Sequence, residues 1–341
     1  MNGFDRVMGT LAGKPLDRRG VVPVLSLYGA QLTGCPLPQY FKDPVAYARG
    51  QAAVCETFAP DVLFGPFSFA ALGEAFGSEV QYFSNQAPNV RRPAIQSFAQ
   101  WGKCVLPDPD SHPGLLYYRE AIQRIAAEHK DQIPVAAVLP APIDMPVLIM
   151  GMESWMETVL FEPEEARRIM EQIIPFFVRL TNNLFEAGAT FLALPGGFIS
   201  PAVVTRELVT SFSRPALATA LAQVRGPVVL HHAGAPLLAH LDMLTGLPSV
   251  IAYGMDRRDN LKQARQLIGS DPVLFGGPVG PNLIRQTADE VEAECREILT
   301  DRQHDPHFML CTCGADIAWN TPPENIHALK KAAQSFAESP A

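Results

Sequence analysis

The chain has 341 residues, 48% hydrophobic and only 18% charged, with 27 Lys and Arg against 35 Asp and Glu for a formal charge of -8. An average soluble protein is about 25% charged, so this balance describes a large buried core and excludes a disordered chain. An acidic chain without a Lys/Arg run has no stripe with which to neutralise phosphates, which excludes non-specific nucleic-acid binding, and no apolar stretch approaches the ~18 residues of a membrane span. The six cysteines (Cys35, Cys55, Cys104, Cys295, Cys311 and Cys313) are too few for a disulfide framework at this length. Residues 1–6 do not resemble an export signal, so the expected location is cytoplasmic, where a close Cys pair points to metal or redox chemistry.

Phe4, Val7, Met8 and Leu11 recur at helical spacing and predict an amphipathic N-terminal helix that Gly13 ends. Residues 21–27 form the first strand-like run, and Asp43-Pro44 then reads as an N-cap with proline at the first helical position. Residues 61–64 are a short second strand. A stretch rich in Gly, Pro and aromatics follows, then a helix over 111–130. Residues 134–139 are the third strand. Two helical pieces come next, the second over 163–188 with Glu164 and Glu165 in its first turn, where the helix dipole favours them. Residues 190–194, 227–231, 249–253, 272–275 and 307–311 complete a series of eight apolar runs. Continuous rather than alternating hydrophobicity marks parallel strands covered on both faces. Eight such runs, each followed by a helix-compatible segment, predict a (β/α)8 TIM barrel with an N-terminal helical extension, in one domain over 1–341. The rival, a doubly wound sheet, would carry a glycine-rich phosphate turn after its first strand. Leu27-Tyr28-Gly29-Ala30-Gln31 is not one.

In such barrels reactive groups collect at the carboxyl ends of the strands. The fifth run ends in His231-His232-Ala233-Gly234 and the eighth in Cys311-Thr312-Cys313-Gly314. Imidazole and thiolate are the pair that suits zinc, and three protein ligands would leave the open position of a catalytic site. Zinc would also keep a coordinated thiol as thiolate near neutral pH. Beside this stand plainer readings. Cys55 and Cys104 read as small hydrophobes on buried strands, Cys35 and Cys295 carry no role, and His240 and His327 read as helix-surface or cap residues.

Several motifs then resemble the uroporphyrinogen decarboxylase superfamily. They are the Cys-Gly at the last strand followed by Trp319-Asn320-Thr321-Pro322-Pro323-Glu324-Asn325-Ile326, Pro195-Gly196-Gly197 with Ile199-Ser200-Pro201, Leu230 to Gly234, Gly276-Gly277-Pro278-Val279, and the opening from Arg6 to Arg18. The resemblance covers nearly the whole chain and implies a (β/α)8 barrel, in agreement with the strand count. The superfamily's decarboxylases hold a carboxylate-rich porphyrinogen with an arginine-rich segment after the first strand. Here that stretch, Tyr28 to Gly34, has no arginine. The resemblance therefore points to the corrinoid-dependent methyltransferase branch, similar to the methylcobamide:coenzyme M methyltransferases. It implies zinc, a corrinoid (cobalamin) supplied by a partner protein, and a small methyl donor or thiol acceptor.

That branch holds zinc with a His-x-Cys pair after the fifth strand and a Cys after the eighth. The positions fall on His231, Ala233 and Cys313, so the middle ligand is missing. Cys311, sharing the parity of Cys313, is taken as the third metal donor; His232, Glu74 and Asp144 are alternatives. His232 is assigned to catalysis, and Tyr28, Asp144 and Gly277, at strand ends, to substrate binding. The alternatives to methyl transfer are a decarboxylase acting on another acid and a binding barrel that has lost its metal site.

Overall fold

The structure, a computed structural model, describes residues 1–129 and 131–336. Lys130, the expected end of the helix that runs Pro113–His129, and the last five residues of the expected domain lie outside the described residues. Eight parallel strands form one curled sheet: β1 (Val21–Val22), β2 (Leu63–Phe64), β3 (Val135–Val138), β4 (Phe191–Gly196), β5 (Val228–His232), β6 (Val250–Gly254), β7 (Val273–Gly276) and β8 (Phe308–Cys311). Each neighbour is the next strand in the chain, and β8 returns to pair with β1, Val21 opposite Leu310 and Val22 opposite Cys311. Helices follow every strand and cover the outside, so this is the expected (β/α)8 barrel.

Alternation sends one set of side chains inward and the other toward the helices. Val22, Phe64, Val138, Phe191, Val229, Phe275, Met309 and Cys311 fill the barrel, while Leu63, Val135, Leu192, Leu230 and Leu310 pack under the helices. The N-terminal helix, Gly3–Leu11, begins in a capping box between Asn2 and Asp5 and ends before Gly13, whose φ of +60° is the left-handed conformation glycine adopts freely. Its Val7 and Leu11 pack against the inward set and close the amino end of the barrel.

β1 is far shorter than the run over 21–27 suggests, because Pro23 has no N–H to give a ladder. Beyond it the Val24 N–H donates to Thr312 Oγ1 at 2.9 Å, and the Ser26 and Leu27 N–H groups turn to the Asp316 carboxylate. Among the described residues no ladder joins β1 to β2. Side chains close that seam. Asp61 N–H donates to the Val21 carbonyl (3.0 Å) while its carboxylate accepts the Val21 N–H (2.7 Å), both arms of Arg18 and one of Arg6. Higher up, the Tyr47 hydroxyl lies 2.8 Å from the Gly65 carbonyl and 2.8 Å from Ser26 Oγ, which in turn accepts the Phe67 N–H.

The Gly- and Pro-rich stretch after β2 holds a helix, Phe69–Ala75, and a small antiparallel hairpin, Glu79–Gln81 with Asn89–Arg92. No described helix is long and apolar enough to cross a membrane. Cys55 lies on the helix Pro44–Phe58 and Cys104 in the turn after residues 98–103, both half-buried, rather than on strands. His240 is buried, not a surface residue, with Nδ1 3.0 Å from the Ile199 carbonyl.

Candidate active site

The carboxyl end of the barrel has two compartments. The inner one is a cavity of about 50 Å³ among the inward side chains of the strands, lined almost entirely by hydrocarbon, with His231 and Cys311 in its wall. The outer one is a mouth pocket of about 640 Å³ under the loops after β1, β2, β5 and β8. Phe67, Pro195 and Gly314 border both and form the partition.

His231 continues the inward row of β5 after Val229. Burial pushes its imidazole down to about 4, although its Nδ1 hydrogen-bonds with the His232 carbonyl, and the two rings stack with centroids 4.3 Å apart. Gly254 on β6 leaves the room for this ring, since a Cβ there would meet His231 at 2.4 Å. His232, the last residue of β5, lines the mouth pocket instead. Its Nδ1 accepts the Gly234 N–H at 3.2 Å and lies 3.4 Å from Asp256 Oδ2, and its Nε2 accepts the Gly314 N–H at 3.3 Å. Both ring nitrogens therefore accept backbone N–H groups, one from Gly234 and one from Gly314. Burial, then the neighbouring His231, keeps the ring neutral. Burial would raise Asp256, yet hydrogen bonds from the Arg258 side chain and N–H hold it below the usual carboxylate range.

The expected metal donors do not converge. Cys311 shares the inner cavity with His231, its thiol pushed up by burial. Cys313 turns away: its Sγ sits 3.1 Å from both the Met255 and Gly277 carbonyls, tops of β6 and β7. Two carbonyl oxygens at that distance favour a thiol over a thiolate, and burial pushes its pKa up to about 12. Among the described residues no three His, Cys, Asp or Glu side chains form a metal cluster. Glu74 is exposed and paired with Lys42 at 3.2 Å. The zinc implied by the resemblance does not fit this donor arrangement.

The expected substrate residues stand behind the pocket wall. Tyr28 is buried, its hydroxyl donating to the Thr321 carbonyl at 2.7 Å. Gly277 packs so close to β8 that a Cβ would meet the Cys311 carbonyl at 2.1 Å. Asp144 accepts the Gly197 and Phe198 N–H groups through Oδ1, while its Oδ2 is buried without a partner, and burial raises it to about 7.

Two acids escaped the sequence reading. Asp256 lies 3.4 Å from the His232 ring. Asp316, in the loop after β8, lines the mouth pocket; Oδ1 accepts the Ser26 and Leu27 N–H groups at 2.6 and 3.3 Å, and burial raises the carboxyl to about 7. The available signal was an acid set among apolar neighbours, Ala315-Asp316-Ile317. Near neutrality the mouth therefore presents a neutral imidazole, His232, and one carboxyl raised to about 7, Asp316.

Fold and site together define a (β/α)8 barrel with its pocket at the carboxyl rim, where barrel enzymes carry their chemistry. The chain belongs to the uroporphyrinogen decarboxylase (URO-D) family, whose profile matches residues 2–336. It is 22% identical over 346 residues to the methylcobamide:CoM methyltransferase MtaA of Methanosarcina barkeri, covering 97% of each chain. It is 24% identical over 268 residues to the uroporphyrinogen decarboxylase of Myxococcus xanthus, covering 76% of this chain and 74% of that one. The solved structure of a methyltransferase from Methanosarcina mazei has the same fold, with a TM-score of 0.86 at 20% identity over 98% of this chain and 99% of that one.

Proposed function

We propose that the chain is a methyltransferase that exchanges a methyl group between a small molecule in the mouth pocket and a corrinoid carried by a partner protein docked over the carboxyl end of the barrel. The observation that supports this over decarboxylation is the wall of the pocket. None of the residues lining its 640 Å³ is Arg or Lys, and its one formally charged group is the acid Asp316. A substrate bearing many carboxylates would meet no counter-charge there, and desolvating anions without a partner is costly. The full-length match to a methylcobamide:CoM methyltransferase supports the same choice.

When bound, the corrinoid supplies the cobalt that carries the methyl group. This chain's residues do the positioning, which is much of what a direct displacement needs. Phe67, Phe69 and Trp319 give the small molecule a dry, shaped wall. His232, with both ring nitrogens taken by backbone N–H groups, shapes the pocket wall as a neutral ring. No step is routed through zinc, because the Cys313 thiol is tied to the Met255 and Gly277 carbonyls and no three donors gather among the described residues.

The test is spectroscopic. The full chain is mixed with methylcobalamin and a panel of thiols, and separately with reduced cobalamin and methoxylated or methylated-amine donors, each with and without a corrinoid protein. A corrin spectrum that changes only with the chain present is expected. Unchanged spectra in every mixture, beside loss of carboxyl groups from an acid substrate, would overturn the reading in favour of decarboxylation.

A further inference from the structure

The mouth pocket joins three aromatic rings to one carboxyl. Phe67 and Phe69 meet edge to face with centroids 5.2 Å apart, and Trp319 lines the same pocket three residues beyond Asp316. Ser26 ties these parts together: its N–H donates to Asp316 while its Oγ accepts the Phe67 N–H, so acid and ring are fixed against one backbone turn. The facing wall carries His232, Ala233 and Gly234, none of them cationic at neutral pH, and Arg258 at that rim is committed to Asp256 at 2.6 Å. Aromatic faces beside a carboxylate, with no competing cation, attract a positively charged group too large and too poorly hydrated for a water-filled site.

We propose that this pocket takes a small quaternary ammonium compound, held by Phe67, Phe69 and Trp319 with Asp316 as its counter-ion. The proposal deepens the methyl-transfer reading by naming the class of methyl-bearing ligand, and it rests on that reading for the ligand's fate but not for its binding. Three features agree. The lining has no Arg or Lys to hold an anion. The Asp316 carboxyl titrates close to neutrality, so an arriving cation draws its proton off and finds a full negative charge. A quaternary nitrogen also carries its own activating charge, which suits a site where position 233 is alanine and the Cys313 thiol is tied to two carbonyls.

The test is calorimetric titration of the full chain, without corrinoid, with choline and with 3,3-dimethylbutan-1-ol, which has the same shape with carbon in place of nitrogen. Choline should bind about tenfold or more tightly than its neutral isostere. Asp316→Asn, which keeps the oxygen that Ser26 and Leu27 donate to, should bring choline down to the isostere's level. Trp319→Leu, at a half-buried position packed against the core, should weaken choline, with a circular-dichroism spectrum like the parent's showing that the variant is folded. Equal affinity for the two compounds, no binding of either, or an undiminished choline affinity in Asp316→Asn overturns the proposal. Failure of methyl transfer with binding intact overturns the catalytic reading alone.

Discussion

Buried ionisable groups of opposite kind give this protein a testable pH response. Asp144 and Asp316 are carboxyls pushed up from 3.8 to about 7 by burial, and His231 is an imidazole pushed down from 6.5 to about 4 by the same cause. A carboxyl with a raised folded pKa adds stability that is fully present below its unfolded value and lost as pH rises through the folded one. An imidazole with a lowered pKa adds stability present above 6.5 and lost as pH falls through 4. From about pH 4.5 to 6.5 the slopes oppose, each about 1.4 kcal/mol per pH unit. Asp316→Asn removes one titration and keeps the acceptor for the Ser26 and Leu27 N–H groups. Across that window the variant should gain about 3 kcal/mol on the parent chain, so that it is the more stable protein at the upper end. Urea unfolding followed by circular dichroism at several pH values measures this. A difference that stays constant within about 1 kcal/mol would show that Asp316 keeps an ordinary carboxyl pKa and would refute the reasoning.

Three further outcomes are expected. Asp61→Ala leaves Arg18, 7% exposed, without its carboxylate; losing one partner of a buried pair costs about 3–5 kcal/mol. At about 2.1 cal/mol/K of unfolding entropy per residue, calorimetry should show a Tm lower by about 4–7 °C; an unchanged melt would mean the seam carries little. Cys313 should resist iodoacetamide in the folded chain near pH 8, since its pKa of about 12 keeps it a thiol, and react only in urea. Peptide mass spectrometry showing rapid native alkylation there would contradict the two-carbonyl setting. Finally, metal analysis of chain dialysed against chelator should find far less than one zinc per molecule. A full equivalent that disappears in Cys313→Ala would show that the side chains regroup around the ion.

The barrel was legible because strands buried on both faces are written as unbroken apolar runs, and eight of them appear in order. Where a run overstated its strand, as over 21–27, the cause was one missing N–H at Pro23, after which the backbone found side-chain partners 288 and 290 residues away in Thr312 and Asp316. The hairpin after β2 left no such trace, because Glu79, Gln81, Asn89 and both arginines are exposed and only Val80 and Val90 are partly covered. Strand alternation carries His231 and Cys311 onto the inward face. It failed for Cys313, which pairs with β7 through an isolated bridge from Val279, beyond the regular strand, where alternation no longer fixes direction. His232 shows the same limit from the other side: parity points it away from the interior, yet the turn into Gly234 gives it the mouth. Asp256 and Asp316 are single acids in loops, and only the folded chain shows that each is aimed at a site.

The side-chain closure between β1 and β2 also bears on how the protein survives in company. A parallel sheet whose ring is opened at one joint shows two bare edges, with unpaired N–H and C=O groups ready to bind another chain. Here one main-chain bond, Asp61 to Val21, and the side chains of Asp61, Tyr47 and Ser26 take the place of a regular ladder. Losing them would leave an edge open to another chain, so aggregation below the melting temperature is the expected damage.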